Sequence, residues 1–449
     1  VTRLTGAADG SSTLTAVSGR RLRELVARRT GDTQLAHDAE VVAHVLPFKV
    51  NSYVTDELVD WSAAPDDPLY RLLFPHRDML DPADFTRVER ALRESPADLP
   101  SLVAAVRARL NPHPGDQIAL NTPRGDGGWG LQHKYASTLL VFPRQGQTCH
   151  SYCAYCFRWA QFTGAGETKL AVAGPDTMTR YLERHPEISD VILTGGDPLV
   201  MRTPLLAQYI HPLLEPRHAR ITSIRIGTKA PAFWPHRFTE GPDADDLLRL
   251  LEKVVAAGRH LALMLHLSHP RELDTAPAQR ALARLRSTGA VLRAQAPAIR
   301  HVNDSAGTWA DLWTRQVRCG IVPYYLFVER DTGSQRYFAL PLSRVLDIHQ
   351  RAIRQVSGLA RTVRGPVMST SSGKVVIDGT VHLADTPAFA MRFLQARDPD
   401  LVGRPFHAVY DDTATWWDEL RPYAPQDHRF FQRTDFFQRT DNTLSGEPR

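Results

Sequence analysis

Apolar residues follow two different spacings along this chain, and the change falls near Lys134. Between residues 21 and 110 they recur at intervals of three and four, most clearly over 83–94 and 99–110, the period of an amphipathic helix. Asp81-Pro82-Ala83-Asp84 has the form of a helix start. A basic helix is expected at 21–29, with loops at Asn111-Pro-His-Pro-Gly115 and Gly125-Asp-Gly-Gly128. Residues 1–20 are polar, rich in Gly, Ser and Thr, and read as disordered. After Lys134 come short β-branched and aromatic runs at 137–142, 190–194, 223–227, 261–267, 291–296 and 321–328. Helical stretches at 176–183, 203–214, 244–257, 277–286 and 306–318 separate them.

Strands that alternate with helices pair in parallel, because each helix supplies the crossover, and right-handed crossovers curl the resulting sheet. Six units fall short of the eight that close a barrel. The expected fold is α/β: a partial (β/α)6 barrel, open on one side, over residues 125–335. A helical region precedes it at 21–124, and a C-terminal extension follows at 336–449, expected to act as an interface or to cover the substrate. Within that extension we expect a helix at 342–357 and a hairpin whose strands, 375–377 and 380–382, flank an Asp378-Gly379 turn. The tail repeats itself, Phe430-Phe-Gln-Arg-Thr-Asp435 then Phe436-Phe-Gln-Arg-Thr-Asp441. Two copies are too few for a repeat architecture, so the segment reads as a terminal interface arm.

Composition narrows the function classes. The chain has 449 residues, 43% of them hydrophobic, which is ample for a buried core. No stretch of eighteen apolar residues suggests a membrane span, and the polar start lacks the apolar segment of a signal peptide. The 54 basic and 49 acidic residues leave a formal charge of +5, with arginines scattered rather than interleaved with aromatics, so neither a nucleic-acid groove nor a membrane surface is expected. Four cysteines are present, three of them within eight residues. Such clustering argues for a metal site in a reducing compartment, here taken as the cytoplasm, rather than a disulfide framework. Cys319 stands alone and reads as a small buried hydrophobe.

The cluster reads Cys149-His-Ser-Tyr-Cys153-Ala-Tyr-Cys156-Phe-Arg158. Thiolates suit iron–sulfur clusters or zinc. A structural zinc site needs four protein ligands, usually in pairs. Three thiolates on a four-iron cluster instead leave one iron open for a small molecule. The loop follows the first strand, at the carboxyl end, where α/β folds place their chemistry. A non-catalytic metal-binding protein is the alternative from another class.

In spacing, and in the aromatic before the last cysteine, the cluster resembles that of the radical S-adenosylmethionine superfamily. Thr194-Gly-Gly-Asp-Pro198 ends the second strand, where that superfamily carries a glycine-rich segment against the methionine amino group. Further stretches resemble the lysine 2,3-aminomutase family over roughly residues 125–385: Val191–Leu199, Ile224-Arg-Ile-Gly-Thr228, His266-Leu-Ser-His-Pro-Arg-Glu272, Arg293-Ala-Gln295, Val302-Asn-Asp304 and Pro323-Tyr-Tyr-Leu-Phe327. The resemblance implies a [4Fe–4S] cluster on Cys149, Cys153 and Cys156. It also implies S-adenosylmethionine held near Thr194, Gly195, Gly196, Asp197, His266 and Gln295. A 5′-deoxyadenosyl radical would take hydrogen from a small, amino-acid-like substrate. Arg158 matches the arginine that grips the substrate carboxylate, a task suited to a guanidinium. An electron donor such as flavodoxin or ferredoxin and a homo-oligomer are further implications.

Three departures bear on the reaction. The family's glycine-rich run ending in the lysine that carries pyridoxal phosphate is missing, its place falling at 360–364. Lys374 in Ser371-Ser-Gly-Lys374 is the remaining candidate for such a lysine. Thr138 stands where the family has an arginine for the cofactor phosphate, although Lys134 and Tyr135 resemble the basic–tyrosine pair before it. The loop after the sixth strand reads Glu329-Arg-Asp331, with an arginine beside the aspartate that would hold the lysine side-chain ammonium. Glu329 and Asp331 are the candidate cation-binding carboxylates. Plain lysine is therefore not the expected substrate. Either a pyridoxal phosphate aminomutase on another amino acid or a pyridoxal-free radical enzyme fits the pattern.

Overall fold

A computed structural model describes residues 14–125, 128–164, 169–240 and 242–432. The expected disorder of residues 1–13 and the second copy of the tail repeat lie outside the described residues. Residues 14–20, read as disordered, include strand β1 (Ala16–Ser18), which pairs antiparallel with β2 (Lys49–Asn51). The sequence before β1 carries no apolar alternation, so only its distant partner marks it as a strand. Helices Leu22–Thr30, Thr33–Val45, Pro82–Glu94 and Leu99–Arg109 build the N-terminal region. Asp81 caps the third of these by accepting from the Ala83 amide, as its sequence form suggests.

The remaining described strands form one sheet. They are β3 (Leu131–Tyr135), β4 (Thr138–Val141), β5 (Asp190–Leu193), β6 (Ser223–Thr228), β7 (His260–His266), β8 (Val291–Ala298), β9 (Val322–Val328), β10 (Arg364–Ser369), β11 (Gly373–Leu383), β12 (Thr386–Ala396) and β13 (Pro405–Val409). Neighbours follow chain order from β3 to β13, and the sheet ends at those two strands without closing. From β4 to β10 every pair is parallel. The six expected barrel strands are β4–β9, and β10 adds a seventh. The C-terminal stretch continues this sheet through antiparallel β11, β12 and β13.

Alternation along each strand decides what faces the barrel interior. Ile224 and Ile226 of β6 are fully buried in the core, while Arg225 and Gly227 line the central cavity. The same two-residue step brings Met264 and His266 of β7, and Gln295 and Pro297 of β8, to the cavity.

The expected Asp378-Gly379 hairpin is not formed. β11 runs straight through it with a register irregularity between Ile377 and Gly379, and the Asp378 carboxylate pairs with Arg392 across the sheet. The turn falls instead at Ala384 and Asp385, both at positive φ (46° and 64°), between the paired Leu383 and Thr386. Asp-Gly favours a turn but also suits a bulge, and an arginine partner tips the choice. In the first tail copy, Phe430 is buried against Phe406, with ring centroids 4.4 Å apart, and Phe431 stacks on Trp417 at 4.3 Å. These rings belong to the core, not to a free arm.

Candidate functional site

One cavity of about 400 Å³ opens at the carboxyl ends of the parallel strands. Cys149, Cys153 and Cys156 line it, together with Arg158, Thr194, Gly195, Gly196, Asp197, His266, Gln295, Glu329 and Lys374. All the candidate residues from the sequence therefore meet there, with one exception. Asp331 does not line the cavity; its backbone carbonyl accepts from Asn111 and its Oδ1 is 4.0 Å from an Arg330 nitrogen. The strand has ended by Val328, so alternation no longer controls where the loop side chains point.

All three cysteines are free thiols. Their sulfurs do not all lie within 4.8 Å of one another, unlike His133, His185 and Glu187 elsewhere. A single zinc ion, with Zn–S bonds near 2.3 Å, needs its ligands that close. A cluster of four irons spreads them wider. Burial pushes the Cys153 thiol up to about 12 and Cys156 to about 11. Iron would supply the positive charge that holds them as thiolates.

Sequence pattern could not show what cradles this loop. Lys49 of β2 donates from Nζ to the Cys149 carbonyl (2.8 Å) and to Thr148 Oγ1 (3.2 Å). Asn51 Nδ2 donates to Ser151 Oγ (3.2 Å) and to the Phe233 carbonyl (2.9 Å). The Tyr152 and Ala154 amides donate to the carbonyls of Lys49 and Leu72, both at 2.8 Å. On the other side the loop leans on the second strand end, where the Asp197 amide donates to the Thr148 carbonyl at 2.7 Å. Gly196 permits this approach: a Cβ there would lie 2.3 Å from the Thr148 carbonyl oxygen. Gly195 is at φ +132°, a region side chains rarely adopt.

Asp197 braces the strand ends. Its oxygens accept from the Leu199 and Lys229 amides and twice from Thr228 Oγ1, all within 2.9 Å. Those bonds use its acceptor capacity and tie β5 to β6. Lys229, missed in the sequence although it follows the quoted Gly227-Thr228, pairs with buried Glu272 at 2.5 Å and donates to the His266 carbonyl at 3.0 Å. Its charge pulls the Cys153 thiol back down against burial. The His266 ring hydrogen-bonds the Tyr155 hydroxyl; burial, then Lys229, lowers its pKa to about 3, so it is neutral.

Among the described residues, neither Arg158 nor Glu329 makes an ion pair. The Arg158 guanidinium lies between Phe142 and Phe157, at 4.5 and 4.8 Å from their ring centres. Burial lowers it to about 10, and among the described residues no carboxylate pairs with it. Glu329 is buried, and burial pushes its carboxyl well above the usual range despite Arg330. Lys374 Nζ sits 4.6 Å from the Tyr325 ring centre. Burial, then Arg225 and Arg364, lowers it to about 7. Cys319, half-buried after helix Ala306–Arg318, is not among the cavity residues.

No family model matches the chain. Over 383 residues it is 31% identical to an Aquifex aeolicus protein named "Putative L-lysine 2,3-aminomutase", covering 85% of this chain and 90% of that protein. The L-lysine 2,3-aminomutase of Escherichia coli is 31% identical over 54% of this chain and 68% of its own length. That of Clostridium subterminale is 28% identical over 51% of each. Among solved structures, Streptococcus suis SuiB bound to precursor peptide SuiA is similar at 13% identity and a TM-score of 0.36, covering 70% of this chain and 67% of SuiB. A radical SAM methyltransferase from Sphaerobacter thermophilus is similar at 13% identity and a TM-score of 0.34, covering 60% and 86%.

Proposed function

Because the chain belongs to the lysine 2,3-aminomutase family of radical S-adenosylmethionine enzymes, we propose that it holds a [4Fe–4S] cluster on Cys149, Cys153 and Cys156 and takes a hydrogen atom from a small, amino-acid-like substrate. The observation that carries this reading is the convergence of three free thiols and Arg158, which among the described residues has no carboxylate partner, on one cavity. When bound, such a cluster would supply the electron for reductive cleavage of the sulfur–C5′ bond of S-adenosylmethionine to methionine and the 5′-deoxyadenosyl radical that takes the hydrogen atom. Thr194, Gly195, Gly196, His266 and Gln295 line the wall beside the cysteines, where they would hold the methionine and adenosine parts. Asp197 positions that wall. Arg158 grips the substrate carboxylate and Glu329 faces its ammonium. The electron comes from a flavodoxin- or ferredoxin-type donor, in a reducing cytoplasm that keeps the thiols free. Among the described residues no helix is long and apolar enough to cross a membrane.

The test is anaerobic reconstitution with iron and sulfide, reduction, and assay of 5′-deoxyadenosine. No release of it overturns the reading. Arg158→Lys is expected to keep substrate-free S-adenosylmethionine cleavage and to lower substrate-dependent turnover about 10–100-fold in kcat/KM, the cost of a lost charge-assisted pair.

One observation favours a second reading, with pyridoxal phosphate on Lys374. The amine lines the cavity, and burial holds it near 7, so much of it is the neutral nucleophile. Here the amine would bind the cofactor covalently, and the cofactor would carry the migrating nitrogen. On this reading, pyridoxal phosphate and borohydride leave a stable absorbance on the wild-type chain and none on Lys374→Met. Equal labelling of both removes Lys374 from that role.

A further inference from the structure

On the cavity wall, three consecutive carbonyls, from the last residue of β10 into the β10–β11 connection, each accept from a different cation. Arg330 Nη1 donates to Ser369 at 2.8 Å, Lys134 Nζ to Thr370, and Arg397 Nε to Ser371 at 2.6 Å. Lys374 follows on β11, with its backbone opposite Ser369. Lys134 feels Arg397, Arg330 and Lys374, all lowering its pKa further after burial. Lys134, Arg330 and Lys374 all line the cavity. Among the described residues no carboxylate lies within 4.0 Å of the Lys134 or Lys374 amine, and Arg330 reaches only Asp331 at that limit. Asp331, Glu329 and Asp418 offset the burial of Arg330, and Asp190 that of Lys374, yet burial remains the largest cause at each; keeping such groups charged out of water is costly.

Donors are left over as well. Arg330 Nε and Gln117 Nε2 are buried without a hydrogen-bond acceptor, and among the described residues Lys374 Nζ has none. Gln117 lines the same cavity. An unmade hydrogen bond on a buried donor is costly, and native structures rarely leave several together. Cations and orphan donors facing one space are the chemistry of an oxyanion site.

From this we infer that the Lys134–Arg330–Lys374 group receives a second oxyanion carried by the substrate, so that the substrate class is an amino acid with a carboxylate or phosphoryl side chain. The inference rests on the proposed reading of the cavity as the substrate chamber, with Arg158 taking the α-carboxylate. A distal ammonium, as on lysine, would meet like charge there.

The test uses the reconstituted full chain with S-adenosylmethionine, titrated calorimetrically with L-aspartate, L-glutamate, O-phospho-L-serine, L-leucine and L-lysine. At least one acidic probe is expected to bind about tenfold or more tighter than L-lysine. Lys374→Met and Gln117→Leu should each abolish that preference, while Arg158→Met weakens all five probes alike. Iron content and far-ultraviolet dichroism in each variant show that the chain is folded. If cleavage persists but lysine or leucine binds as well as every acid, the inference fails and the radical reading stands. If cleavage itself is absent, the underlying reading fails. Occupation of Lys374 by added pyridoxal phosphate, with the acidic preference lost, also overturns it, because the oxyanion is then the cofactor's.

Discussion

Cys153→Ala is expected to leave the anaerobically reconstituted protein without its visible iron–sulfur absorbance, with iron and sulfide falling from about four each per chain to below about one. S-adenosylmethionine cleavage should vanish with them. Cys149→Ala and Cys156→Ala should behave alike, since a four-iron cluster already short of one protein ligand has none to spare. The separation of the sulfurs sharpens this expectation: they do not converge within 4.8 Å, as one zinc ion would require. Cys319→Ala is the control, because that half-buried thiol lies outside the cavity and should keep full iron content. A Cys153→Ala protein that still cleaves S-adenosylmethionine would sink the ligand assignment. Metal analysis showing one zinc per wild-type chain would revive the structural-metal alternative.

The parts of this site that were legible in the sequence are those held by short-range pattern. Cys149, Cys153 and Cys156 sit on one loop, and their spacing is itself the signal. Strand alternation carried Thr194, His266 and Gln295 to the barrel interior, because a two-residue period leaves the backbone no choice of face. Lys49 and Asn51 were invisible, since they act on a loop about a hundred positions away and nothing in their neighbourhood marks them. Asp331 stands outside the cavity lining for a related reason: beyond Val328 the strand ends, and loop geometry, not period, aims the side chain. Asp378-Gly379 carried a genuine turn signal, overridden by a cross-strand arginine. The Thr194–Pro198 glycines were read as an approach to ligand. The structure shows Gly196 also serving an approach of backbone to backbone.

That approach carries the second large effect. A methyl group on Gly196 would sit 2.3 Å from the Thr148 carbonyl oxygen and 2.5 Å from its amide nitrogen. These are backbone atoms adjacent to Cys149, so no rotamer change can relieve the clash. Gly196→Ala must push the strand end and the cysteine loop apart, stretching the 2.7 Å bond from the Asp197 amide. Overpacking of this kind costs about 1–3 kcal/mol of stability. The functional loss should be larger than the stability loss, because the displaced element is the one that carries the cluster ligands. Iron content is expected to fall by more than half at unchanged far-ultraviolet dichroism, with S-adenosylmethionine cleavage falling further still. Gly227→Ala is the matched comparison: it sits on the next strand and faces the same cavity, but its Cβ would meet nothing nearer than Thr194 Oγ1 at 3.5 Å, an ordinary contact. It should keep its iron. Equal iron retention in the two variants would show that Gly196 does not govern the seating of the cysteine loop, and the strand end would then act on the bound small molecule alone.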